Sequence, residues 1–474
     1  MVMSRPDDAL PRARLQDRTR GFRTSITVRH QARSNFRDGE QKMMKRLVPV
    51  LLSMFLATSA AAQTRKGTFA LVNGRIETIT RGIIEQGTLV IRDGRIEAVG
   101  AGVQAPSDAE VIDCTGMTIY PGFIDAGTEL GLVEIGSLSE TRDNDEVGDV
   151  TPQVQALTAV NPNAVAIPVT RSNGVTTVIA TPSGGLFPGT AALIDLHGYT
   201  PEQMHAGGFR AVVMNFPSSG REGWWDERTE EEIEKSAKKA RERLRDIWDR
   251  AVLYARIDSA YQVAGGNDRL PEYVPEFQAL VPVVRGDMPL MIEVNASRDI
   301  DSAINWVKER GAKAIFTGVA EGWRIADRLA AADIPCIVGP VLSLPTRSSD
   351  RYDKEYANPG LLRAAGVRIA FRTADGANVR NLPYQAGYAV AYGMSRDEAL
   401  RAVTIAPARM FGVADLFGSL EPGKQATLFA VEGDPFEPAA SVRHVFIRGY
   451  QISLDNRHME LYREFIKREP GVGG

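Results

Sequence analysis

Imidazole and thiol are both scarce in this chain, which carries five histidines and two cysteines in 474 residues. Cys114 and Cys336 form no Cys-x-x-Cys pair and have no Cys/His partners at zinc-ribbon spacing, which removes the small thiolate zinc folds. Cys336 lies inside an apolar run and Cys114 just ahead of another, so two separately packed thiols are expected rather than a disulfide. The Gly/Pro-rich stretch at 181–190 lacks the Lys-Ser/Thr ending of a phosphate loop and reads instead as a loop from a strand to a helix, lining the mouth of a barrel. Beyond residue 62 no apolar run is long enough to span a membrane. A basic excess is missing too: 56 Lys+Arg stand against 59 Asp+Glu.

What is present begins with a leader. Lys45-Arg46 precedes the apolar run 47–57, which ends in Ser59-Ala60-Ala61-Ala62-Gln63. A charged start, a short apolar core and small residues before the cut describe a secretory signal peptide, with cleavage after Ala62. Residues before Met43 are Arg-rich without apolar periodicity, so translation is expected to begin at Met43 or Met44. Residues 1–62 hold 12 basic and 5 acidic side chains, leaving 44 against 54 and a formal charge of −10 on the remainder. An acidic exported chain makes nucleic acid and anionic membrane poor partners. The expected location is periplasmic or secreted, with no membrane attachment after cleavage.

Asn73-Gly74 and Asp93-Gly94 each separate alternating apolar and polar stretches and read as hairpin turns. Further on the pattern changes to short apolar runs at 118–124, 175–180, 191–196, 211–216, 290–295, 313–317, 336–338 and 367–372. Eight buried strands separated by helical stretches predict a closed parallel (β/α)8 barrel of the TIM type. The longest helix opens on Thr229 with Glu232 three residues on, a capping box, and its lysines and arginines form a solvated face. Trp224-Trp225 just ahead of it reads as a pair buried against the barrel. Helices are also expected over 299–310, 322–332 and 396–403, and a short one after Asp455.

Three separated segments carry a family resemblance. Tyr120-Pro121-Gly122-Phe123-Ile124-Asp125-Ala126-Gly127-Thr128-Glu129 has the outline of a metal-hydrolase strand. Ala70-Leu71-Val72-Asn73-Gly74-Arg75-Ile76 with Leu89 to Gly100, and Gly418-Ser419-Leu420-Glu421-Pro422-Gly423-Lys424 with the residues to Leu428, match the two halves of a small β-sandwich. The chain resembles the amidohydrolase superfamily, in particular its imidazolonepropionase-like and dihydroorotase-like members. The resemblance implies an α/β fold in which the barrel, 118–404, carries a composite sandwich built from both chain ends, 63–117 and 405–455, with 456–474 as a tail. It also implies hydrolysis of non-peptide carbon–nitrogen bonds in a small-molecule substrate, using zinc or another divalent metal at the C-terminal strand ends.

The same resemblance shows what has been replaced. Where the first strand of such an enzyme carries Asp-x-His-x-His, this chain has Asp125, Gly127 and Glu129. In the fifth strand Glu293 and Asn295 stand at the imidazole positions, and in the sixth Thr317 does. The strand-eight acid has a candidate in Asp375, although Asp-Gly is also a turn signal. Asp195 stands where a bridging Lys is sought. The four histidines past the leader, His197, His205, His444 and His458, lie off every motif strand end and read as ordinary surface or packed residues. Two consequences compete: hydrolysis through an altered site, with hard carboxylate oxygens suited to Mg²⁺, Mn²⁺ or Ca²⁺, or loss of catalysis. In the second case the barrel is a pseudoenzyme, a small-molecule binding protein or the non-catalytic subunit beside an active relative. Either case is compatible with a homo-oligomer.

Overall fold

The computed structural model describes residues 65–220, 226–263, 265 and 272–468. The expected leader with its cleavage after Ala62, and Trp224-Trp225, lie outside the described residues.

Eight strands stand side by side in chain order: β1 (Phe123–Thr128), β2 (Val175–Ala180), β3 (Gly189–Asp195), β4 (His205–Asn215), β5 (Leu290–Val294), β6 (Ala314–Gly318), β7 (Cys336–Val338) and β8 (Ile369–Phe371). Every residue of β1, β2 and β3 is buried, the pattern of strands covered on both faces. Just past β8 the seam to β1 is closed by Ala374 N–H donating to Gly127 O at 3.0 Å. The same seam is strapped by Asp125, whose carboxylate accepts from Thr373 N–H at 3.2 Å and from Thr373 Oγ1 at 2.6 Å.

The parallel barrel expected from the strand count needs one correction. β3 runs antiparallel to both neighbours, with Thr177 opposite Asp195 and Ala211 opposite Ala191. The cause is length: the connection from Thr181 to Pro188 is too short for a crossover, which takes a dozen residues or more, so the chain turns straight back. The stretch at 181–190 is therefore a strand-to-strand connection with the start of β3, not a loop leading to a helix. Asp195, at the end of an inverted strand, lies at the opposite end of the barrel from the mouth. There Arg448 from the second sheet pairs with it at 3.1 Å and Thr177 donates to it at 3.2 Å.

The second sheet has nine strands drawn from both chain ends, including Phe69–Glu77, Ile83–Arg92, Arg95–Gly100, Thr118–Pro121, Leu428–Glu432 and Ser441–Ile447. It has its own core, among them Leu71, Leu89, Ile119, Leu428 and Phe446. The rings of Phe69 and Phe446, on strands that are not neighbours, meet at 5.1 Å, so the sheet folds over on itself. Asp93-Gly94 makes the expected turn between two of its strands. Asn73-Gly74 does not. It is an irregularity inside the continuous strand Phe69–Glu77, where a Cβ on Gly74 would sit 3.0 Å from Cys114 Cβ.

The run expected as the first barrel strand, 118–124, splits at Gly122. Thr118–Pro121 pairs with Leu428–Glu432 in the second sheet, and β1 starts at Phe123. Both cysteines are buried and unpaired with each other, as expected. The long helix covers Glu230–Val263 and opens on the anticipated capping box: Thr229 N–H donates to Glu232 Oε2 at 2.8 Å and Glu232 N–H to Thr229 Oγ1 at 3.2 Å. Among the described residues no helix is long and apolar enough to cross a membrane.

Candidate functional site

Successive residues of a strand point to opposite faces, so Glu293 and Thr317, cross-strand partners on β5 and β6, point the same way at the barrel mouth. Between them enters a side chain that the motif comparison did not single out. Arg372, one residue past β8, sends its guanidinium across the mouth. Its Nη1 donates to Glu293 Oε2 at 2.6 Å and its Nη2 to Glu293 Oε1 at 2.8 Å. Thr317 Oγ1 also donates to Glu293 Oε2, and Asn295 Nδ2 to Glu293 Oε1 at 2.9 Å. Its Nε–H is taken by Gly339 O at 2.9 Å, and Nη1 also donates to Thr317 Oγ1 at 3.1 Å.

Three of the sequence-selected positions, Glu293, Asn295 and Thr317, thus converge on one planar cation. Gly127 takes part through what it lacks: a Cβ there would lie 3.3 Å from Arg372 Cδ and 3.6 Å from its Cβ, so a larger side chain contests the space of the arginine arm. Burial alone would raise the Glu293 carboxyl. The charge of Arg372 and the hydrogen bonds from Arg372, Thr317 and Asn295 outweigh it and hold Glu293 below the usual carboxylate range.

The other selected residues do not join this cluster. Glu129 accepts from Asn144 Nδ2 at 2.8 Å. Asp375 resolves as a turn residue: its Oδ1 accepts from Ala377 N–H at 2.6 Å and Asn378 N–H at 2.8 Å, and its Oδ2 from Asn378 Nδ2 at 3.1 Å. Partial burial works against the charged form, but these donors prevail and hold its carboxyl low, which makes it a weak proton acceptor. Asp125 is fully buried under the seam. Burial pushes it up to about 7 against the opposing pull of Thr373, the Gly127 N–H and Arg372.

That shift has a sign. A carboxyl raised from 3.8 to about 7 adds stability through its neutral form, complete below the unfolded value and lost as pH rises through about 7. The urea-measured stability of the protein relative to Asp125→Asn is therefore expected to fall between pH 4 and pH 7, at roughly 1.4 kcal/mol per pH unit where steepest. A difference that stays level over that range would rule out the buried titration.

The four histidines lie elsewhere. His197, past the inverted β3, packs on the Tyr450 ring at 4.8 Å, and burial with the charges of Arg171 and Arg448 lowers it to about 4. His205 opens β4 at its N-terminal end, His444 is in the second sheet and His458 is exposed on the helix Arg457–Phe465.

The donor set does not fit a divalent metal. Position 127 has no side chain, Asn295 and Thr317 turn hydrogens toward Glu293, and both Glu293 oxygens are occupied by Arg372. A cation placed about 4 Å from the guanidinium would meet repulsion of about 4 kcal/mol per unit charge at an effective dielectric of 20. Among the described residues no three His, Cys, Asp or Glu side chains come together as a metal site. The sequence did hold a signal for Arg372: a cation directly after the apolar triplet Ile369-Ala370-Phe371, in a chain with an acid, Glu293, inside another apolar strand.

Comparison with known proteins agrees with this architecture. Residues 293–452 match the Amidohydrolase family model. The structure is similar to that of an amidohydrolase from Thermotoga maritima MSB8, at 26% sequence identity and a TM-score of 0.71, over 82% of this chain and 100% of that one. Molinate hydrolase shares the fold at 16% identity and a TM-score of 0.53, over 86% of this chain and 99% of that one. A search of curated protein sequences found no match. In its barrel, in the sheet assembled from both chain ends, in the family match over residues 293–452 and in its likeness to the Thermotoga protein, this chain is similar to the amidohydrolases.

Proposed function

We propose that this protein is an exported, periplasmic or secreted amidohydrolase-fold receptor that binds a small molecule at its barrel mouth without the metal of its relatives. The observation that carries the reading is the bidentate Arg372–Glu293 pair. A fixed organic cation stands among positions that correspond to metal ligands, and it engages both oxygens of Glu293. In the family reaction, hydrolysis of a non-peptide carbon–nitrogen bond, a metal brings the pKa of bound water from 15.7 to about 7. Nothing in the Arg372 cluster supplies that activation, and Asp125, the carboxyl whose titration is closest to neutral, is sealed from any substrate. As a binding protein the chain acts either alone, including as a homo-oligomer, or as the non-catalytic subunit beside an active relative.

Hydrolysis of a carbon–nitrogen bond is the second reading, supported by the likeness to the Thermotoga amidohydrolase. Elemental analysis of the purified mature chain separates the two. Less than a tenth of an equivalent of any divalent metal is expected, with no change in melting temperature on chelation. One tightly held equivalent whose removal lowers the melting temperature would return the protein to the hydrolases. In the binding reading Glu293→Gln removes the ion pair and is expected to diminish ligand-dependent thermal shifts, whereas Glu129→Gln leaves them largely intact.

A further inference from the structure

At the base of the barrel, the end away from Arg372, a cavity of about 230 Å³ opens beneath the starts of β7 and β8. Three helices frame it. Lys354–Ala364 brings Arg363, Arg396–Ala402 brings Glu398 and Arg401, and Ile405–Met410 brings Arg409, while Arg368 stands just ahead of β8. Ile405 and Arg409, four apart on one helix, share a face and both line the space. The buried side chains of Ile369 and Ile405 give it an apolar floor, to which Met410 adds.

Four guanidinium groups thus line one small cavity with a single carboxylate among them. That carboxylate is engaged at both oxygens: Glu398 Oε1 accepts from Arg363 Nη2 at 3.4 Å and Oε2 from Ser395 Oγ at 2.9 Å. Arg363 also donates from Nη1 to Val367 O at 2.7 Å, and Arg368 from Nη2 to Asp333 O at 2.7 Å and Asp333 Oδ1 at 2.9 Å, so these two are held in place. Arg401 commits only Nε, to Asp397 Oδ2 at 2.8 Å, which leaves both its Nη groups without acceptors. Arg409 has neither a hydrogen bond nor an ion pair among the described residues. Asp333 and Asp397 balance the charges of Arg368 and Arg401 from outside the lining, and Glu398 that of Arg363; the charge of Arg409 has no counterpart.

We infer that this cavity binds a small organic oxyanion, a carboxylate or a phosphate ester, its oxygens taking the free N–H groups of Arg401 and Arg409 and a short apolar body lying against Ile369, Ile405 and Met410. Guanidinium carries donors and no acceptor, and its planar fork matches the paired oxygens of carboxylate and phosphate. An amine meets the reverse of what it needs: four cations, and one carboxylate with no oxygen left unpaired. A neutral acceptor such as an amide would take the N–H groups but leave Arg409 without a counter-charge. An apolar floor with a few convergent polar groups is the usual make-up of a small-molecule site, and the volume limits the body to a few carbons. The site is at the opposite end of the barrel from the mouth and stands whether or not the mouth is free of metal.

The test is calorimetric titration of the full mature protein with n-butyrate, n-butyl phosphate, acetate and n-butylammonium at one ionic strength. At least one of the two butyl anions is expected to bind tenfold or more tightly than the ammonium, and the tighter of the two identifies the headgroup. Arg409→Gln is expected to weaken that anion at least tenfold; since Arg409 holds no other residue, the variant should melt with the parent. Equal binding of anions and ammonium, preference for the ammonium, or no binding by either butyl anion overturns the ligand class. Anion binding untouched by Arg409→Gln overturns the site, and acetate bound as tightly as n-butyrate overturns the apolar contact. If Arg409→Gln does not fold, the comparison of anions with the ammonium on the unmodified protein decides alone. None of these outcomes depends on the metal content of the mouth, so the two readings fail separately.

Discussion

Arg372→Ala is expected to lower folding stability by roughly 3–5 kcal/mol, because it strands a carboxylate that the fold has otherwise paired. Glu293 would keep only Thr317 and Asn295 as partners, and its side chain, 27% exposed beside an arginine at 11%, gets limited help from water. The urea midpoint at pH 7 measures the loss. Two further results identify its cause. Removing the acid as well, in Arg372→Ala with Glu293→Ala, should recover a large part of it, since the desolvated charge rather than the lost contact dominates the cost. The single variant should also regain stability toward acidic pH. Without arginine the folded-state pKa of Glu293 rises above its unfolded value, so its neutral form favours folding and that contribution fades as pH rises through the raised pKa. A single variant within 1 kcal/mol of the parent would show that the pair does not hold the mouth together.

Gly122→Ala is expected to cost stability at the upper end of roughly 1–3 kcal/mol for overpacking. Gly122 is where the chain passes from the second sheet into the barrel; its N–H donates to Thr427 O at 3.0 Å and the next residue's N–H to Gly174 O at 2.9 Å. A Cβ at this point would lie 2.0 Å from Thr176 Oγ1 and 2.8 Å from Thr176 Cγ2. Thr176 is on β2, fully buried, and cannot swing away. Removing the whole side chain in Gly122→Ala with Thr176→Gly, since Thr176 Cβ itself would lie 2.9 Å away, should restore the part of the loss in thermal unfolding that comes from the clash. A double variant no better than the single would mean that glycine is needed there for some reason other than space.

These two positions illustrate how unevenly the sequence revealed the molecule. Gly122 stands in the Pro-Gly-Phe-Ile-Asp motif, but only the register of two sheets shows that it separates them. The barrel was legible because buried strands are nearly continuous apolar runs, and the capping box at Thr229 because it depends on residues three apart. Asn73-Gly74 was misread as a turn since a bulge and a hairpin make the same local demand for positive φ, seen at Asn73 with φ 62°. The inversion of β3 left no mark in its apolar pattern, which looks the same in either direction; only the shortness of the preceding connection bore on it. Asp195 consequently belonged to the base of the barrel and not to its mouth.

At the site, motif positions 293, 295 and 317 were legible because spacing by two within a strand fixes a shared face. Their partner was not. Arg372 is distant in sequence from all three, and nothing local says whether a charged residue just beyond a strand turns to solvent or inward. By itself the sequence determined the eight buried strands of the barrel, the capping box at Thr229 and the buried state of both cysteines, all consequences of residue identity and short-range spacing. The tertiary structure alone decided that a guanidinium occupies the space among those positions and that Asp375 caps a turn. Those outcomes depend on where strands from far-apart segments end relative to one another, and closure of the barrel sets that.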